Sequence, residues 1–323
     1  MALAVSWESK NGSILAPDTL THDDQWRANF EGVAQDGGWF EEVSAEHKAL
    51  FVEQGEVLVV SFENLDDARQ DSAKRLPWGM DFLTSRGWSV LGIMAHGHTW
   101  YRDPDLIAFF DRLAQEGFFS QFRRVVFYGV SMGGYAATAY AAAAPGAEVI
   151  AVNPQATLSR KVTLGWESRF KPAWGRDFES RYGYGPDGVR DASKVWLFYD
   201  PRNMADSIHA TLYSGENIQK IRCRHMGHGM LTTWRHMGVL SKIISGCIEG
   251  TFCEVDVYRH LRTRTRTPFY QKRMLGHLQK LRRPGLLRQY CKAVLDDSAP
   301  QGRPHFRRAM LDAEAALENK PAR

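Results

Sequence analysis

Apolar residues in this chain gather into short continuous runs closed by polar breaks, the pattern of strands buried on both faces. Glu56-Val57-Leu58-Val59-Val60-Ser61-Phe62 is one such run, broken by Glu63-Asn64-Leu65-Asp66-Asp67. Trp88 to Met94, Val125 to Tyr128, Glu148 to Pro154, Lys194 to Asp200 and Ile218 to Cys223 are five more. Between them the period changes. Asp103-Pro104-Asp105 opens a helix whose apolar positions are Leu106, Phe109, Phe110 and Leu113, a helical spacing with a start signal. Tyr135 to Ala144 is a helix of small residues stopped by Pro145-Gly146. Strands alternating with helices predict an α/β fold: a mostly parallel sheet covered by helices on both faces.

The flanks read less sharply. Val5-Ser6-Trp7-Glu8 and Gly12 to Ala16 suggest an opening hairpin, and Trp39, Phe40 and the charged run Glu41 to Lys48 a loop followed by a short helix. Residues 156–192 show no strand pattern but carry Trp166, Phe170, Trp174, Phe178, Tyr182 and Tyr184. So many large aromatics argue for an ordered excursion of the chain. From about 230 the pattern is helical, with a last helix expected over Phe306 to Leu317.

One junction carries chemistry. Val125 to Tyr128 runs into Gly129-Val130-Ser131-Met132-Gly133-Gly134 and then into the small-residue helix. Gly-x-Ser-x-Gly at a strand-to-helix turn lifts a serine hydroxyl clear of the sheet, and the glycines remove the Cβ atoms that would crowd the turn. In this motif and its setting, Phe127 to Gly134, the chain resembles the α/β-hydrolase superfamily, over about residues 55–245.

The resemblance implies Ser131 as nucleophile, followed in order by an acid and a histidine on later strand ends. Asp200, ending a strand before Pro201, is the favoured acid. Asp206 is the rival, and its plainer reading is a helix N-cap. Gly227-His228 matches the superfamily's histidine position, with His225 as the alternative. The resemblance also implies an oxyanion hole built from the backbone N–H of Met132 and a second N–H, from Phe62 or Glu63. Here the chain departs from the common His-Gly pattern and reads Ser61-Phe62-Glu63-Asn64. Asn64, His96 and Trp100 are expected to line the site. Residues 156–192 stand where superfamily members insert a cap. Arg169, Lys171, Arg176 and Arg181 in that stretch would favour a substrate with anionic character. His96, His98, His225 and His228 could be weighed as metal ligands, but their spacing calls for no metal, and no cofactor is implied.

The bulk figures set limits. At 323 residues, with 44% hydrophobic and 24% charged residues, the chain suits one large domain with an appendage. No run approaches the roughly 18 apolar residues of a membrane helix, and residues 1–8 lack the basic start and apolar core of a leader. Cys223, Cys247, Cys253 and Cys291 are widely spaced, which fits buried thiols and a cytoplasmic location. The net charge of +4 is unevenly placed: residues 257–295 hold eleven Arg or Lys and no acid. That stretch suits an anionic membrane surface, an acidic polymer or a partner protein, and no motif points to nucleic acid.

These readings divide the chain into a hydrolase-like domain, 1–250, and a basic, mainly helical appendage, 251–323. The function expected is a serine hydrolase of esterase, lipase or thioesterase type. It would act on a small-molecule or acylated substrate through an acyl-enzyme, with acyl transfer sharing the same chemistry. The alternative is a non-catalytic, hydrolase-like accessory protein in surface-glycan or membrane biogenesis.

Overall fold

The computed structural model describes residues 37–64, 79–297 and 303–318, together with Gly32. The opening hairpin expected at residues 5–16 lies outside them. Eight strands form one sheet: β1 (Gly38–Glu42), β2 (His47–Val52), β3 (Val57–Asn64), β4 (Ser89–Ala95), β5 (Arg124–Val130), β6 (Glu148–Val152), β7 (Lys194–Tyr199) and β8 (Ile218–Arg222). Their order across the sheet is β1-β2-β4-β3-β5-β6-β7-β8. The pairs β1–β2 and β2–β4 are antiparallel, and all later neighbours are parallel. The mostly parallel α/β sheet read from the sequence is therefore the sheet observed.

The loop and short helix expected around residues 39–48 are instead β1 and β2. The charges that suggested a helix serve as ties to neighbouring elements. Glu41 accepts from Arg112, Glu46 from Arg176, and Lys48 pairs with Glu42. In β2, Ala49 and Leu50 are fully buried, so the strand is held by its apolar content despite those charges.

The helices are α1 (Met80–Thr84), α2 (Pro104–Gln115), α3 (Met132–Tyr140), α4 (Met204–Leu212), α5 (Met230–Met237), α6 (Leu240–Ile248), α7 (Glu254–Leu261), α8 (Pro268–Lys280), α9 (Pro284–Asp296) and α10 (Pro304–Glu318). Helix α2 starts as its sequence predicts. Pro104 takes the first position, where a missing N–H costs nothing, and the Asp103 side chain accepts from the Asp105 N–H at 2.9 Å. Its buried residues are Leu106, Phe109, Phe110 and Leu113. Each such side chain, fully buried, contributes about 1.5–3 kcal/mol.

Two apolar layers flank the sheet. One packs α2 and α3 against alternate positions of the strands, including Phe62, Phe127 and Leu197. The other packs α1, α5 and α6 against Val59, Val126, Trp196 and Phe198. Every residue of α3 is buried, and its small side chains permit that depth. A Cβ on Gly133 would stand 2.3 Å from the Phe62 carbonyl oxygen, and one on Gly129 2.0 Å from that of Gly133. Alanine at either place would push α3 off the sheet.

Residues 156–192 form an ordered layer on the α3 side, with helical turns at 160–163, 171–175 and 185–188. Phe178 and Tyr182 join the core there, and Phe170, Trp174 and Tyr184 pack against it. The Arg102 side chain, 4% exposed, donates to the Asp177 and Arg181 carbonyls and to Ser180 Oγ. One buried guanidinium thus pins the middle of the excursion.

The C-terminal helices divide by what they pack on. Val257, Leu261 and Tyr270 join the sheet's second layer. Leu275, Cys291, Val294, Phe306 and Ala309 form a small core of their own. Helix α10 spans the segment expected to be the last helix. Of the four thiols, Cys223, Cys247 and Cys291 are buried; Cys253 is exposed, and its Sγ donates to Asp256 at the start of α7. Among the described residues no helix is long and apolar enough to cross a membrane.

Candidate active site

Ser131 sits between β5 and α3 at the centre of the sheet, with φ 53° and ψ −116°. That backbone is sparsely populated for a residue with a Cβ, at a cost of order 1–3 kcal/mol. The surroundings hold it there. Its N–H donates to the Val152 carbonyl at 2.9 Å, and its own carbonyl accepts from the Tyr135 N–H at 2.9 Å.

His228 lies on the loop after β8. Its Nε2 is 2.8 Å from Ser131 Oγ. Its Nδ1 is 3.0 Å from Asp206 Oδ2 and 3.1 Å from Asp206 Oδ1. The carboxylate facing the imidazole is therefore Asp206, and the favoured Asp200 is corrected on this point. Asp200 is equally buried, 2% exposed, but its oxygens are taken up by backbone. It accepts from the N–H groups of Gly227 at 2.6 Å, Arg202 at 2.9 Å and His225 at 3.1 Å. Asp200 thus folds the loop that carries His228 and does not touch the ring.

The plainer reading of Asp206 also changes. The cap of α4 is Asn203, whose side chain accepts from the Asp206 N–H. Asp206 stands in the first turn of α4, where the helix dipole favours a carboxylate. His225, the alternative histidine, has φ 62° and packs on His277 at 4.8 Å between ring centroids.

Two further residues shape the histidine loop. Asn153, at the end of β6 with φ 47°, donates from Nδ2 to the His228 carbonyl at 2.6 Å. Arg273 of α8 lies against Gly227, where a Cβ would be 1.9 Å from its guanidinium. Neither role has a local signal, because each is defined by a strand end or helix far away in the chain.

Behind Asp206 stands a charged chain. Arg169 donates from Nη1 to Asp206 Oδ1 at 2.6 Å and from Nη2 to Glu167 Oε2 at 2.6 Å. The Asp206 and Glu167 side chains are 0% exposed, and that of Arg169 is 30% exposed. Glu167 Oε2 is also 2.9 Å from His209 Nε2, while His209 Nδ1 accepts from the Ala156 N–H. An acceptor nitrogen carries no proton, so His209 is the neutral tautomer that donates from Nε2 to Glu167. Burial lowers the proton affinity of His209, outweighing Glu167. Burial raises the Asp206 pKa, but His228 and Arg169 draw it below the ordinary carboxylate range. Glu167 is likewise raised by burial, yet His209 and Arg169 bring it down to about 2.

These pairings account for the basic residues of 156–192 without a substrate. Arg169 faces Asp206 and Glu167, Arg176 faces Glu46, Arg181 faces Asp111, and Lys171 rests over Trp174. None of the four lines the serine cavity.

That cavity has a volume of about 530 Å³ and opens over Ser131 and His228. Phe62, Glu63, Asn64, Trp100, Met132 and Phe170 contribute to its wall. Asn64 and Trp100 are thus where expected. His96 is not part of the wall; His98, two residues on and exposed, takes that place. The Met132 N–H begins α3 beside the serine. Strand β3 outlasts its pairing with β5, which ends at Phe62–Gly129, while Glu63 and Asn64 stay paired to β4. The four histidines weighed as metal ligands are not drawn together. Among the described residues the one group with ligand atoms close enough is Glu46, His47 and Asp103, at the start of β2. Arg176 already neutralises Glu46 there, and Ser44 donates to Asp103.

No protein-family model and no curated protein sequence matches the chain. Solved structures do. The capsule O-acetyltransferase of Neisseria meningitidis serogroup A is 14% identical, over 64% of this chain and 92% of that one, with a TM-score of 0.42. Est1E from Butyrivibrio proteoclasticus is 14% identical, over 66% and 99%, with a TM-score of 0.41. An esterase of Pyrobaculum calidifontis is 13% identical, over 72% and 92%, with a TM-score of 0.43. The chain itself has an open, mostly parallel eight-stranded sheet with helices on both faces, an α/β fold.

Proposed function

We propose that this protein is a serine hydrolase or acyltransferase that works on an acyl ester or thioester through an acyl-enzyme at Ser131. The observation that carries the reading is His228, placed with Nε2 2.8 Å from Ser131 Oγ and Nδ1 3.0 Å from Asp206. Serine at its free pKa is a poor nucleophile, and an adjacent base corrects that.

In the resting state Nδ1–H donates to Asp206, which leaves Nε2 free to accept the Ser131 proton. Ser131 Oγ attacks the acyl carbonyl as His228 takes the proton. The tetrahedral oxyanion is met by the Met132 N–H and by a backbone N–H of Phe62 or Glu63, the donors expected from the sequence. His228 then returns the proton to the leaving alkoxide or thiolate. The acceptor, water or a hydroxyl group, gives its proton to His228 and attacks the acyl-serine; as the acyl–Oγ bond breaks, His228 passes that proton to Ser131 Oγ, which restores both residues. Asp206 holds the tautomer and stabilises the imidazolium without taking the proton.

The test is labelling of the full chain with a fluorophosphonate probe, beside Ser131→Ala and His228→Ala. Labelling in the wild type and in neither variant is expected. An unlabelled, folded wild type would favour the non-catalytic binding reading. Mass spectrometry of the protein after an activated acyl ester, with and without an added alcohol, then separates hydrolysis from transfer by the product formed.

A further inference from the structure

The cap-like stretch was expected to meet substrate, yet its residues at 167 and 169 turn toward the rear of Asp206. Their arrangement poses an electrostatic question. A cation bonded to Asp206 Oδ1, the oxygen that also faces His228 Nδ1, should quench the carboxylate and weaken His228 as a base. The guanidinium is not alone, however. Its other face is taken by Glu167, which offers both oxygens to Nε and Nη2 at 2.6–3.1 Å. Glu167 is fully buried and cannot be compensated by water. Neutral His209 holds it from the far side.

The charges can be counted. With His228 neutral, Asp206, Arg169 and Glu167 sum to −1. With His228 protonated, as when it holds the serine proton, the four sum to zero. Without Glu167 the same states would sum to zero and +1, and protonation would be disfavoured. Without Arg169 they would sum to −2 and −1, and protonation would be favoured further, with two carboxylates left in mutual repulsion.

We infer that Glu167 and Arg169 are positioning residues that act through Asp206 to set the proton affinity of His228. Glu167 cancels the cation that Arg169 places on Asp206, and Arg169 holds the carboxylate by Oδ1. The inference rests on the reading of His228 as the base. Other groups around His228 are Glu63 of β3, His98 after β4 and Arg235 of α5, which line the cavity. Beneath the loop are Asp200 and, from α8, Arg273 and His277 beside His225. They are common to every variant below and drop out of the comparison.

The experiment is a titration of the His228 ring by NMR in the full-length protein, with its signal assigned by loss in His228→Ala. Four samples are compared: wild type, Glu167→Gln, Arg169→Met and Arg169→Lys. The expected shifts have opposite sign. Glu167→Gln lowers the His228 pKa by roughly half a unit to one unit, and Arg169→Met raises it by a similar amount. Arg169→Lys, which keeps the charge, stays near the wild type. Shifts below about 0.2 unit, or shifts of the same sign in Glu167→Gln and Arg169→Met, would overturn the inference. If Arg169→Met does not fold, a fall in Glu167→Gln with none in Arg169→Lys supports it, and its absence refutes it. Fluorophosphonate labelling of the same wild-type sample reports on the proposed function separately, because the titration needs no turnover.

Discussion

Asp200 and Asp206 lie six residues apart, both buried, at the same end of the sheet, and they are held by opposite kinds of partner. Asp200 receives three backbone N–H groups from two loops. Asp206 receives an imidazole and a guanidinium. Backbone donors are fixed in the chain, so a carboxylate that collects them dictates the path of a loop. Side-chain donors can change charge, so a carboxylate that collects them is coupled to proton transfer. Burial and residue type are nearly the same at the two positions; the source of the hydrogen bonds separates an architectural aspartate from one that, on the proposed mechanism, serves His228.

The sharpest way to break that distinction is to make the same substitution at both. Asp206→Asn presents an amide where His228 Nδ1–H needs an acceptor. On the proposed mechanism the base then takes the wrong tautomer, and kcat/KM falls by about 10³- to 10⁴-fold. Its melting temperature should change far less than its activity. Asp200→Asn leaves one acceptor oxygen for three N–H groups and turns an NH2 toward one of them. Leaving buried donors unmet should cost about 2–3 kcal/mol of stability, read by chemical denaturation. Its rate of fluorophosphonate labelling should fall by less than that of Asp206→Asn. If Asp200→Asn lost activity by the larger factor while keeping its stability, the assignment of roles would be reversed.

The same contrast explains what the sequence could and could not disclose. The six strands from β3 to β8, helix α2 and the serine turn are written locally, in continuous apolar runs, a Pro after an N-cap, and glycines at 129 and 133. The order serine, acid, histidine was also legible, and Ser131 and His228 stand together. The acid was not, because Asp200 and Asp206 both carry credible local signals: one precedes a proline, the other opens a helix. What separates them is tertiary: His228, 22 residues after Asp206, and Arg169, 37 residues before it, both reach Asp206, while Asp200 collects backbone N–H groups. Residues 39–48 misled for a related reason. Their charges are spent on ion pairs with Arg112 and Arg176, which no local window contains. Asn153, Glu167 and His209 were missed because each acts on a partner that tertiary packing alone supplies.

A smaller effect sharpens the comparison through pH. The folded-state pKa values of Asp206 and Glu167 are depressed, the latter to about 2. A depressed carboxyl contributes stability that is complete above its unfolded value, near 4, and is lost as pH falls through the folded value. The wild type should therefore lose stability between about pH 4.5 and 2, and Glu167→Gln should lose less over that window. Thermal melts from pH 7 down to about 2.5 would show the two curves converging. Parallel curves would mean that Glu167 is not held ionised by Arg169 and His209.

The smallest effect expected is that of Asn203→Ala. Asn203 caps α4 three residues before Asp206, and loss of an N-cap costs about 1 kcal/mol. The cap bond to Asp206 is long, 3.4 Å, which places the cost at the low end. Asp206 does not depend on that bond for its place, since His228 and Arg169 grip its side chain from two sides. Labelling of Ser131 should accordingly change by less than about threefold, roughly half a kcal/mol, while the melting temperature drops by about one degree. A large loss of labelling with a small loss of stability would show that the first turn of α4, and not the Arg169 grip, aims the carboxylate at His228. The contrast drawn between backbone-held Asp200 and side-chain-held Asp206 would then fail at its second half.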